Sequence, residues 1–189
     1  MLFVWYYEHM TPALEGEERA RPEQQKEILD DNARKFVVAA LEPAFLERSG
    51  ASAFILATDW LETGEDREKK LAYKKFENGD SQILLISKIT KDGCRISEKE
   101  KISEKEYAAL LGESVCHLEK MRYEFQYIQN GITFDIKYDE FVGSQLRVLE
   151  VDASSEEDRN SFSPYDFSSQ LFEVTEQVQY YGYRVASIV

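Results

Sequence analysis

An α+β fold, mainly an antiparallel closed β-barrel with a few short flanking helices, is predicted by three features of this 189-residue sequence. Segments 81–89, 122–128, 132–138 and 145–151 alternate in character with period two, which is the pattern of strands. Turn signals split such segments, namely Asn78-Gly79-Asp80, Lys91-Asp92-Gly93 and Asn130-Gly131, so hairpins dominate and the sheet is antiparallel. Helices are few. Ser103-Glu104-Lys105-Glu106 is a capping box that opens a helix with Tyr107, Leu110 and Leu111 on one face, and segments 42–48 and 154–161 also read as short helices. Many strands with few helices make a barrel or a highly curved sheet.

The length and a 43% hydrophobic, 13% aromatic composition supply one sizeable core, hence one domain. Residues 11–25 are rich in Glu, Arg, Pro and Gln and separate an aromatic start from the alternating segments, so residues 1–29 read as an N-terminal extension, flexible or helical, and residues 30–189 as the barrel domain. Trp5 and Tyr6 offer a docking surface toward the barrel or a second subunit, and a homodimer is compatible with the sequence; loose terminal packing is the simpler account.

The formal charge of −13, from 36 acidic against 23 basic residues, repels nucleic acid and anionic lipid, so neither is an expected partner. A small phosphate-containing anion remains admissible, because cations clustered inside a barrel set the local field while distant carboxylates are screened. Cys94 and Cys116 form no CxxC pair and have only His9 and His117 to assist them, which argues for free thiols rather than a zinc site or disulfide. The apolar start, residues 1–7, is too short to span a bilayer and lacks a basic leader, so a cytoplasmic protein is expected.

Residues two apart in a strand share a face, so a charge-lined barrel shows itself as charged pairs at i and i+2. Lys120 with Arg122, Asp135 with Lys137, and Glu150 with Asp152 are such pairs. An exposed strand face would explain an isolated pair. Glu150 and Asp152, however, sit in the apolar run of Leu146, Val148 and Val151, where carboxylates are costly unless a cation or metal answers them. The acidic runs 62–68 and 156–158 read as solvated faces.

Several stretches, taken in order, resemble CYTH proteins, the triphosphate tunnel family. They are Ala33-Arg34-Lys35-Phe36-Val37-Val38, Leu56-Ala57-Thr58-Asp59-Trp60-Leu61, the Lys88-to-Arg95 spacing, Glu119-Lys120-Met121-Arg122-Tyr123, Phe134-Asp135, Leu149-Glu150-Val151-Asp152, and Glu173-Val174-Thr175 followed by Tyr180. The resemblance covers residues 30–189. It implies a tunnel in which Lys and Arg grip three phosphates while carboxylates hold Mg²⁺ or Mn²⁺. Carried over, the phosphate-gripping set is Lys35, Lys88, Arg95, Lys120 and Arg122, with Lys74 or Lys75 where the family has an Arg-x-Arg strand.

The metal set it implies is partly replaced. Asp31 keeps one acid of the opening motif, whereas Ala33 stands where the second belongs. The mid-chain Glu-x-Glu falls on Ser97 and Lys99, with Glu98 and Glu100 one place out of phase, and only Glu150 and Asp152 match the final pair. Asp135 is assigned to the lining. Three functions follow from this pattern. The first is a tunnel that binds a triphosphate or other polyanion with hydrolysis weak or absent. The second is an active metal-dependent triphosphatase acting on inorganic, thiamine or nucleoside triphosphate. The third is a barrel scaffold for protein interaction.

Overall fold

The computed structural model describes residues 25–27 and 33–189 apart from 65, 92–93, 168–169, 176 and 181, with side chains from residue 33 onward except those of 91, 94 and 95. Among the described residues ten strands form one sheet: β1 (Gln25–Glu27), β2 (Arg34–Val38), β3 (Ser52–Thr63), β4 (Arg67–Phe76), β5 (Ser81–Lys91), β6 (Cys94–Lys101), β7 (Cys116–Gln129), β8 (Ile132–Phe141), β9 (Arg147–Asp152) and β10 (Leu171–Glu173). Their order is β1-β6-β5-β4-β3-β7-β8-β9-β2-β10, and every neighbouring pair is antiparallel. Among the described residues three short α-helices accompany it, α1 (Pro43–Arg48), α2 (Glu104–Leu111) and α3 (Glu156–Ser161).

The alternating segments thus fall on β5, β7, β8 and β9, and the capping box opens α2, with both of its reciprocal hydrogen bonds made. Asn130 and Gly131 turn β7 into β8 with φ of 54° and 81°, the left-handed pair that a two-residue hairpin requires. The antiparallel sheet with few helices is as expected, while closure into a barrel is not seen. Among the described residues, the end strands β1 and β10 each pair on one side only, so the ladder stays open. Both are three residues long and contribute little to any closure. The N-terminal extension also holds sheet structure, since β1 pairs with β6; the rest of residues 1–29, including Trp5 and Tyr6, lies outside the described residues.

The two faces of the sheet differ in chemistry. On one, Phe36, Phe125, Phe134, Ile136, Tyr138, Leu149 and Val151 form the main core with Leu46 of α1 and Phe162, which follows α3. Phe162 stacks 5.0 Å from Phe134 and 5.6 Å from Phe167. The other face is concave. Lys74 on β4 is electrostatically coupled to Lys137 on β8, three strands away, a distance of roughly 14 Å in a flat sheet that only curvature shortens. One end of this concave face is apolar, where Trp60, Leu118, Phe141 and Val148 pack against Val185 of the 3₁₀ helix Gly182–Ser187. Gly182 (φ +48°) makes that approach, because a Cβ there would stand 3.3 Å from Glu68 Oε2.

On the core side, α2 is tied down by a polar cluster. The Tyr107 hydroxyl donates to Asp59 Oδ2 (3.1 Å), and Asp59 Oδ1 lies 2.7 Å from His117 Nδ1. The hydrogen bond to buried Asp59 raises the His117 pKa above its usual value, against a smaller opposing effect of burial. A folded-state pKa above the unfolded one gives stability that is complete below the unfolded value and lost as pH rises through the folded one. Urea unfolding is therefore expected to show stability falling from about pH 6.5 upward, and His117→Gln is expected to flatten that slope. An unchanged slope in the variant would remove His117 as its source.

Candidate polyanion site

Strand alternation delivers the site. Lys120 and Arg122 of β7, Lys137 and Asp139 of β8, and Glu150 of β9 stand opposite one another across the ladders or two residues apart, all on the concave face. Lys35 of β2 is the ladder partner of Glu150, with its Nζ 3.9 Å from Glu150 Oε1. Across the curve, Glu68, Lys70 and Lys74 of β4 share that face, as do Lys88 of β5 and Ser97 and Lys99 of β6 through the registers Glu68↔Lys88, Lys88↔Ser97 and Ile86↔Lys99.

Asp139, 1% exposed, holds the cluster together. Arg122 grips it with two parallel hydrogen bonds, Nε to Oδ1 and Nη2 to Oδ2, both 2.7 Å, and the Lys120 ammonium donates to the same Oδ2. Arg122 Nη2 also reaches Glu150 Oε2 at 3.5 Å. On the opposite wall, buried Glu68 accepts from Trp60 Nε1 (3.2 Å) and from Lys70. Glu68 therefore corrects the reading of run 62–68 as a solvated face.

The electrostatics follow from crowding like charges in a half-dry groove. Burial pushes the Lys120 ammonium below the usual lysine range, helped by the neighbouring guanidinium. Lys70 is lowered by burial and by Lys88, and Lys74 by burial together with Arg122, Lys99 and Lys137. Burial alone would raise Glu150, but Arg122, Lys35, Lys120 and Lys137 hold its carboxyl far below the usual range. The cations of this face, Lys35, Lys70, Lys74, Lys88, Lys99, Lys120, Arg122 and Lys137, outnumber its acids Glu68, Glu124, Asp135, Asp139, Glu150 and Asp152, in a chain whose net charge is −13. An anion approaching the groove meets positive potential.

The local frame is firm. Arg34, on the other face of β2, donates twice to Glu173 of β10 (2.9 Å each) and to the Arg159 and Phe162 carbonyls at the end of α3. The Lys35 backbone is held by Thr175 Oγ1, which accepts from its N–H (3.0 Å), and by the Val174 N–H, which donates to its carbonyl (2.8 Å). The Glu-Val-Thr stretch thus positions the strand carrying Lys35.

Of the residues named from the sequence, Lys35, Lys74, Lys88, Lys120, Arg122 and Glu150 meet on this face, and Asp135 and Asp152 continue it toward one end of β8 and β9. Lys75 alternates onto the opposite one. Arg95 stands opposite Thr90 in β6, with its side chain outside the described set, and Asp31 lies outside the described residues. Asp135 and Asp152 face each other across β8 and β9, where Asp135 accepts from Gln126 and Asp152 pairs with Arg159. These two acids and Asp158 line an open cavity of about 570 Å³, whose charge is wrong for an anion. Glu98 and Glu100 are corrected. The β5–β6 register runs unbroken from Leu84↔Lys101 to Lys91↔Cys94, so no bulge returns either glutamate to the concave face, and Ser97 and Lys99 are there instead.

The described residues do not fit a divalent ion held by protein carboxylates. Glu150 is engaged by Lys35 and Arg122, Asp152 by Arg159, and Glu98 and Glu100 are on the wrong face. No group of three or more His, Cys, Asp or Glu side chains among the described residues is placed to hold a metal. No described helix is long and apolar enough to cross a membrane.

No family model matches the sequence, and no curated protein does. Among solved structures, the chain is similar to the inorganic triphosphatase NE1496, with a TM-score of 0.56 and 24% identity over 82% of this chain and 92% of that one. A second structure of NE1496 gives the same score and identity, covering 95% of its chain. The PH1819 protein from Pyrococcus horikoshii OT3 shows a weaker likeness, with a TM-score of 0.44 and 17% identity over 68% of this chain and 82% of that one. The chain thus shares its antiparallel curved sheet with a solved inorganic triphosphatase.

Proposed function

We propose that this chain binds a triphosphate or another small polyanion on the concave face, with hydrolysis weak or absent. The observation that carries the proposal is the convergence of Lys35, Lys70, Lys74, Lys88, Lys120 and Arg122 on one groove of a strongly acidic molecule. Arg122 supplies a planar two-pronged donor and the lysines supply mobile point charges, the pairing that phosphate oxygens accept. The fold likeness to an inorganic triphosphatase supports tripolyphosphate as the probe. It also keeps a metal-dependent triphosphatase as the second reading.

A ligand held only by the folded protein stabilises it by mass action, by about 2.7 kcal/mol at a hundredfold excess over Kd. Tripolyphosphate is expected to raise the melting temperature, and Lys120→Ala combined with Arg122→Ala is expected to abolish that rise. The quantity to compare is the ligand-induced shift, since the double variant starts from a lower melting point. A shift of undiminished size would place the anion elsewhere.

A further inference from the structure

Strand β6 presents two groups to the concave face that recognise an anion and not a metal ion. Ser97 is 2% exposed, and its Oγ has no hydrogen-bond partner among the described residues. A buried hydroxyl is rarely left unpaired, and one aimed into a groove is a donor waiting for a ligand oxygen. Its ladder neighbour Lys88 supplies an ammonium beside it. Two residues on, Lys99 lies near enough to Lys74 for each to feel the other's charge. The carboxylates set among these cations are already engaged, Glu68 by Lys70, Asp139 by Lys120 and Arg122, and Glu150 by Lys35 and Arg122. A divalent ion entering here would meet ammonium groups first and would have to strip a carboxylate of its cation to gain a ligand.

We infer that this groove takes its polyanion in the metal-free form, with the Ser97 hydroxyl and the Lys99 ammonium donating directly to phosphate oxygens, so that Mg²⁺ competes with the protein for the ligand. The inference rests on the polyanion-binding reading above and adds the charge state of the ligand. Lysine contributes donors only and a hydroxyl is a weak ligand for Mg²⁺, so β6 offers the metal nothing and the bare anion two hydrogen bonds.

Calorimetric titration of the full chain with tripolyphosphate, in EDTA and in excess Mg²⁺, tests this. Tight binding in EDTA is expected, weakened about tenfold or more by Mg²⁺, as loss of a charge-assisted contact implies. Ser97→Ala is expected to weaken binding in EDTA by about tenfold, while the unliganded variant melts no lower than the parent because no protein hydrogen bond is lost. Lys99→Glu is expected to reverse the sign of the Mg²⁺ effect. Binding that needs Mg²⁺ or tightens with it overturns this inference and leaves the polyanion site standing. An undiminished affinity in Ser97→Ala overturns the assignment of its hydroxyl. Absence of binding in both buffers overturns the site and the inference together.

Discussion

Asp139→Asn is expected to cost about 3–5 kcal/mol of folding stability, the range for breaking a buried ion pair by removing one partner. The carboxylate is 1% exposed and is the shared acceptor for Lys120 and for both prongs of Arg122. Without its charge, the two cations are left against Lys35 and Lys137 with Glu150 and the more exposed Glu124 as their remaining counter-ions. The same change removes a carboxylate that competes with the ligand. The variant should therefore regain more stability from tripolyphosphate than the parent does, and bind it more tightly. Urea unfolding with and without ligand measures both quantities. A loss below about 1 kcal/mol, the scale of a surface pair, would show that Asp139 is not the internal counter-ion of the groove.

Asp139 was legible in principle. The alternation Asp135, Lys137, Asp139 runs along β8, and the apolar partners Phe134, Ile136 and Tyr138 mark the other face, yet a pair-by-pair search ends at Lys137. Lys120, Arg122 and Glu150 were readable because period two alone assigns their faces. Glu68 was legible too: it stands two residues before Lys70 in β4, whose ladder against β5 is unbroken, so period two puts it on the concave face, but its place at the end of an acidic run made it look solvated. The choice between Ser97 and Glu98 rested on the absence of a bulge, which only the ladder against β5 reveals. The three helices announced themselves through caps and proline, which are local signals. Sheet closure is set by long-range pairing, and three-residue end strands carry too short a pattern to declare it.

The concave face also explains how the chain can be acidic overall and still hold a polyanion. Its hydrophobic core lies mainly on the opposite face, under α1, α3 and Phe162, so the groove is free to carry charge without emptying the core. The cations neutralise one another's cost through a few shared acids. A ligand with several negative charges relieves the remaining repulsion, which is why ligand-linked stabilisation is the most direct reporter of the site.

Phosphate release from tripolyphosphate is expected to stay below about 1 s⁻¹ per chain, under the ordinary enzyme range, with Mg²⁺ or Mn²⁺ present or absent. Hydrolysis needs a group that orients and deprotonates water in line with the phosphoryl group, and misplacement costs rate steeply. Arg122 stays protonated, and Glu150 is held so far below the usual carboxyl range that it is a poor base. The remaining contribution is electrostatic, from cations that stabilise bound anion and transition state to similar extents, which raises affinity more than turnover. Adding hard oxygen donors should change this. Ala33 of the chain just before β2 is buried, and Ser97 and Lys99 lie on the concave face. Ala33→Glu alone should raise phosphate release little. Ala33→Glu with Ser97→Glu and Lys99→Glu removes an ammonium and supplies carboxylates for a divalent ion, and should raise it more. A colourimetric phosphate assay across parent, single and triple variants measures the series. Parent turnover at or above about 1 s⁻¹ would set aside the weak-hydrolysis reading, and its loss in EDTA would establish the metal-dependent triphosphatase in its place.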